Sequence, residues 1–249
     1  TLFEIFTQII SIELGIAFLV IFFCSIVQGY SGFGGGLMIV PIMALLFDPV
    51  TGIALATIPV LAGLAIMIPR AIGYVTWREV SILAFSSSIA IFFGQIFLIS
   101  AQPSGIKIGM GIFIILMATL FLNNWRYTGK RNTGTNIFVG VATGGITGAF
   151  GVPGGPLMAM YFLSAPIQPM RQRANILMTG FIGTVVFLGG FIYRDIYSQI
   201  TAIQSGLLVP SFVIGALLGQ HLFKVAPAKW FSNVTSILLI AIGLIVIIG

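Results

Sequence analysis

Two stretches of this chain carry residues that could bind an anion through the main chain. "GYSGFGGGLMIVP" spans residues 29–41 and "GAFGVPGGPLMAM" spans 148–160. Each is rich in glycine and leads into a short apolar run of helical character. A helix start leaves N–H groups without intrahelical acceptors and carries the positive end of the helix dipole. Glycine lets a ligand approach those donors closely, which suits a small anion. The turn residues singled out on this ground are Gly34, Gly35 and Gly36 in the first stretch and Gly151, Gly154 and Gly155 in the second. Pro156 fits a first helical turn, where its missing N–H costs nothing. Pro153 and Pro156 also remove two donors, so the two turns are not equal.

A charge stripped of water needs further donors. Neutral candidates flank the turns: Gln28 and Ser31 beside the first, Thr57 in the next segment, and Asn175 and Thr179 in the corresponding segment of the second half. Asn175, one helical turn beyond Arg171, stands first among them. The plainer reading of each is a hydrogen bond to a neighbouring helix. Glycine has a plainer reading too, since Gly140-x3-Gly144-x3-Gly148, Gly105-x3-Gly109 and Gly215-x3-Gly219 are spacings that let helices pack closely.

The elements that must position these residues are membrane helices. Of 249 residues, 58% are hydrophobic and 6% are charged, against about 25% charged in an ordinary soluble domain. Apolar windows long enough to cross a bilayer as helices recur along the chain, and ten-residue alternating strands of a barrel are absent. Segments are expected at 11–30, 36–47, 51–69, 80–100, 105–123, 136–150, 155–166, 174–193, 203–223 and 233–248. The first window has no basic start, so it reads as a retained segment and not a cleavable signal peptide.

The longest polar break, "NNWRYTGKRNTGTN" at 123–136, divides the chain into similar halves. Gly35-Gly36-Leu37-Met38 matches Gly155-Pro156-Leu157-Met158 at an offset of 120, as Ala54 matches Ala174. Gly94-Gln95 matches Gly219-Gln220 at an offset of 125. With each glycine stretch taken as a turn, nine of the eleven basic residues fall on one face: Arg70, Arg78, Arg126, Lys130, Arg131, Arg171, Arg173, Lys224 and Lys229. Only Lys107 and Arg194 fall opposite. Trp77, Trp125 and Trp230 join the basic loops as interfacial anchors. Basic loops are cytoplasmic by the positive-inside rule, so both termini are expected outside. The expected fold is an all-α polytopic membrane protein of two inverted repeats, about five helical segments each, with a short broken or re-entrant helix after each glycine-rich turn. The expected units are an N-terminal repeat at 1–123, a central cytoplasmic linker at 124–135 and a C-terminal repeat at 136–249.

The same composition excludes several functions. One cysteine, Cys24, allows no internal disulfide, and it reads as a packing residue. One histidine, His221, allows no histidine-rich metal site. No segment pairs two carboxylates or a nucleophile with a base, so an intramembrane enzyme is not expected. There is no phosphate-binding G-x4-G-K-[ST] loop to hydrolyse ATP, and no cofactor or metal is expected. The net charge of +6 reflects loop anchors and not nucleic-acid binding. Arg171 and Arg173 belong at the cytoplasmic mouth, where they would draw anions in. Glu13 is the one carboxylate placed to couple protons, although its neighbours put it near the outer interface.

"GFGGGLMIVP" and "GAFGVPGGPLM", one in each half, together with "GYVTWREV", resemble the TauE/SafE family of sulfite exporter-like permeases over nearly the whole chain. The resemblance implies a bacterial inner-membrane carrier of sulfite, sulfonates or organic anions. The second motif departs from the family's uninterrupted glycine run by reading Gly-Val-Pro-Gly-Gly-Pro. The residues themselves point to a secondary transporter of a small anion working by alternating access. An anion channel lined by the same donors is the alternative.

Overall fold

A computed structural model describes residues 11–31, 34–123, 125, 127–165, 167–222 and 228–248, with the side chains of residue 31 and residues 228–234 outside that description. Among the described residues, Arg126 and Lys224 are therefore missing, as are the side chains of Ser31, Lys229 and Trp230. Ten α-helices run through the described residues: α1 (Ile12–Ser31), α2 (Gly35–Leu46), α3 (Pro49–Ala71), α4 (Trp77–Ser100), α5 (Pro103–Leu122), α6 (Thr133–Phe150), α7 (Gly155–Leu163), α8 (Pro169–Tyr193), α9 (Gln199–Leu222) and α10 (Ala228–Ile248). Six of them, α1, α3, α4, α5, α8 and α9, are long and apolar enough to cross a membrane. Phe85, Phe93 and Phe138 point outward and are at least 65% exposed, as side chains that face lipid do. This is an all-α, multi-pass membrane protein.

Several helices begin before their apolar windows, for a local reason. Proline opens α3, α5 and α8, each after a polar residue: Asp48, Gln102 and Gln168. Asp48 Oδ1 accepts from the amides of Val50 at 3.0 Å and Thr51 at 3.2 Å. Asn132 does the same for Thr135 at the start of α6, at 2.9 Å. These caps satisfy donors that the first turn leaves open.

Helices that are far apart in sequence pack through small residues. α6 lies on α4, where a Cβ on Gly144 would come 2.2 Å from the Ser87 carbonyl oxygen and one on Gly148 2.5 Å from that of Ile91. α9 lies on α1 in the same manner, with Gly215 against Phe22 and Gly219 against Ile26. The packing reading holds for these spacings. It holds for Gly109, which faces the Phe150 ring, but not for Gly105, which meets nothing within 4 Å. α3 packs on both α8 and α9, α8 also packs on α4, and α5 packs on α10. Cys24 is free and buried in the core.

Proline inside α3 creates one problem that α9 solves. Pro59 has no N–H, so the Leu55 carbonyl four residues earlier loses its helical donor. The Ser205 hydroxyl donates to that carbonyl at 2.9 Å, and the Tyr197 hydroxyl donates to the Ala54 carbonyl at 2.7 Å. The nine-residue α7 is pinned at its far end by Arg131. That guanidinium stacks 4.1 Å from the Tyr161 ring, donates to the Tyr161 carbonyl, and pairs with Glu79 at 2.8 Å.

The helix contacts give a paired prediction. Gly144→Val should destabilise the protein by about 1–3 kcal/mol through overpacking. Gly145→Ala, where nothing lies within 4 Å, should be neutral or stabilising by up to about 1 kcal/mol. Thermal unfolding in detergent checks both.

Candidate functional site

The two glycine-rich turns meet in space. Gly34, which precedes α2, has φ of 100°, and Gly151, which ends α6, has φ of 67°. Both conformations belong to glycine. The Gly151 amide closes α6 by donating to the Thr147 carbonyl at 2.9 Å. A Cβ on Gly36 would stand 2.6 Å from Pro153 Cγ. One on Gly154 would stand 2.5 Å from Thr143 Cγ2. Lack of side chains thus lets the turn of one half touch the turn of the other.

A cavity of about 90 Å³ opens beside this junction. Gly34 and Gly36 line it from one turn, and Gly151, Pro153, Gly154 and Gly155 from the other. α1 contributes Gln28, α3 Thr57, α4 Ser87, α6 Thr143 and Thr147, and α8 Thr179 and Thr184. Val60, Leu64, Ile91 and Phe187 supply apolar walls. No charged side chain lines it among the described residues.

The backbone donors are partly engaged. Gly36 N–H points to Gln28 Oε1 at 3.4 Å, and Gly154 N–H donates to Thr147 Oγ1 at 2.8 Å. Most hydroxyls also have partners. Thr57 donates to the Ile53 carbonyl at 2.7 Å, Thr179 to that of Asn175 at 2.8 Å, and Thr184 to that of Gly180 at 2.8 Å. A hydroxyl whose proton serves its own helix offers lone pairs to the cavity, and it must rotate to donate there. Thr143 differs: its hydroxyl is buried and has no partner among the described residues.

The structure brings together Gln28, Gly34, Gly36, Thr57, Gly151, Gly154, Gly155 and Thr179. Gly35 is turned away, packing against α1, where a Cβ would lie 2.6 Å from the Cys24 carbonyl oxygen. Asn175 is fully buried beside the cavity but outside its lining. Its Oδ1 accepts from the Thr76 amide at 2.8 Å and so ties α8 to the start of α4. The Ser31 side chain lies outside the described residues. Thr143, Thr147, Ser87 and Thr184 enter the lining without having been singled out. Thr143-x3-Thr147 is the signal that could have found two of them, a pair of hydroxyls on one face of a segment otherwise built of small residues.

The junction's own hydrogen bond yields a stability test. Thr147→Val leaves the Gly154 amide without its acceptor and should destabilise by about 1–3 kcal/mol. Thr147→Ser, which keeps the oxygen, should recover most of the loss in thermal unfolding.

Comparison with known proteins gives the family. The family described as sulfite exporter TauE/SafE matches residues 17–246. A probable sulfite/organosulfonate exporter, TauE, of Cupriavidus necator is 24% identical over 200 residues, which cover 78% of each chain. No solved structure matches. The chain belongs to the TauE/SafE family of membrane-embedded anion transporters, and it is a transport protein, not an enzyme.

Proposed function

We propose that this protein is a secondary carrier of a small oxyanion, sulfite or a short organosulfonate, which it binds in the central cavity and moves by alternating access. The observation that carries this reading is the meeting of both glycine-rich turns at one cavity whose lining, among the described residues, is neutral. An anion held there takes its donors from the Thr143 hydroxyl and the main-chain amides of the turns, with Gln28 beside them. At about 90 Å³ the cavity is smaller than the roughly 150 Å³ that admits benzene. That size favours an anion of a few heavy atoms. The C. necator relative is named for the same substrate class.

The repeat architecture supports alternating access. Numbering the halves α1–α5 and α6–α10, the packing of α1 on α9 has its counterpart in α6 on α4. That of α3 on α9 has its counterpart in α8 on α4, while α3–α8 and α5–α10 pair like with like. A two-fold relation between inverted repeats accounts for this pattern. At 1.5 Å per residue, α2 spans about 18 Å and α7 about 14 Å, short of a hydrocarbon core of about 30 Å. That fits half-helices that begin within an inner membrane whose cytoplasmic side meets the basic loops. Glu13 is exposed in the first turn of α1, and no carboxylate lines the cavity among the described residues. Among the described residues, the binding site itself therefore offers no carboxylate to accept a proton.

Uptake of labelled sulfite into proteoliposomes tests the reading. Saturable uptake, accelerated by sulfite on the far side, is expected. Thr143→Val should weaken uptake roughly tenfold or more through one lost hydrogen bond to a charged ligand, while thermal stability is unchanged or raised. Unsaturable flux, or full uptake by Thr143→Val, would count against it.

A further inference from the structure

A second cavity, of about 540 Å³, lies at the basic end of the molecule. Three helix ends form it. α3 contributes Met67, Arg70 and Ala71 near its C-terminus, α8 contributes Met170, Arg173, Ala174 and Leu177 near its N-terminus, and α9 contributes Leu217, Gln220 and His221 near its C-terminus. Its size is that of a small-ligand pocket. Two guanidiniums and no carboxylate stand among its lining residues.

Interfacial anchoring alone predicts side chains that point to lipid headgroups along a loop. Here the two arginines come from different helices and face one concavity, beside an imidazole and an amide from a third. The C-terminal ends of α3 and α9 each add about half a negative charge, and the N-terminal end of α8 adds about half a positive one. Against two guanidiniums this leaves a positive balance of about one and a half charges. Arg173 is held in place, its Nη2 donating to the Gly29 carbonyl at 3.2 Å. Gln220 corresponds to Gln95 at the offset of 125. Gln95 is fully buried, donating to the Phe187 carbonyl at 2.8 Å and accepting from Arg194 at 3.1 Å. Gln220 instead faces open space in the cavity.

The geometry points to a second, separate oxyanion site made by Arg70, Arg173, Gln220 and His221. Its ligand is a phosphate-, sulfite- or sulfonate-type group, which offers several oxygens to planar guanidinium forks. The site adjoins the central cavity along two helices. Leu64 lines one cavity and Met67 the other, three residues apart on α3, as Ile176 and Arg173 are on α8. Such a group could come from the water phase or from the headgroup of an anionic lipid.

The test measures binding and needs no transport. The full chain in nanodiscs of pure phosphatidylcholine is titrated with inorganic phosphate by calorimetry. Wild-type protein should bind. Arg70→Gln, an exposed position where folding is not at risk, should bind about tenfold more weakly, and Arg70→Gln/Arg173→Gln more weakly still. Arg78→Gln, an exposed basic position in the lining of neither cavity, should bind as wild type. If phosphatidylglycerol in the nanodisc weakens phosphate binding, a lipid headgroup is the resident. If it does not, the site serves a soluble anion. The inference is overturned if wild-type protein binds no phosphate, if Arg70→Gln binds as tightly as wild type, or if Arg78→Gln loses as much binding as Arg70→Gln.

Discussion

Inside hydrocarbon, every main-chain polar group needs a partner from the protein, because no water is there to serve. The architecture follows from that constraint. Glycine-rich turns packed inside a membrane protein are tolerable only where other groups cover them or where they border a polar space. Here both conditions hold. Thr147 accepts from Gly154, Gln28 faces the Gly36 amide, and the remaining backbone of the turns borders the central cavity. The cavity is the complement of the turns, and neither would survive without the other.

Close helix contact makes that arrangement possible. With lipid outside as apolar as the core, helices gain little from hydrophobic burial and must rely on contact between backbones. The glycines of α6 against α4 and of α9 against α1 bring carbonyls within reach of facing Cα atoms. These two seams hold the long helices as a frame around α2 and α7. α2 packs on α1, α3 and α10, whereas α7 rests mainly on α8 and α6 and is fixed at its end by Arg131.

Much of this was legible in the sequence, and the reasons are specific. The apolar windows located the helices to within a few residues, because hydrocarbon leaves composition little freedom. Errors fell at starts such as Pro49 and Pro169, where a polar cap and proline extend the helix past the apolar run. Glycine clusters disclosed the turns, but not which glycine faces outward. Gly36 borders the cavity while Gly35 packs on α1. That difference is set by the helix's rotation, and tertiary packing decides it. Asn175 shows the same limit: a buried amide signals a necessary hydrogen bond without telling its partner, which is a residue 99 positions away. Thr57 and Thr179 could be singled out, but Thr143, Thr147 and Thr184 were hidden because a hydroxyl bonded to its own helix looks identical in sequence to one that is free.

The notch at Pro59 carries a mechanical consequence. α3 lacks one rung there, and the vacated carbonyl is held by Ser205 of another helix. Thr57 and Val60, on either side of the notch, wall the inner chamber, while Met67 and Arg70 on the same rod wall the outer one. Flexing at a missing rung sacrifices no intrahelical bond. The rod therefore has a built-in elbow within the wall of the inner chamber, and Ser205 acts as the catch that holds it.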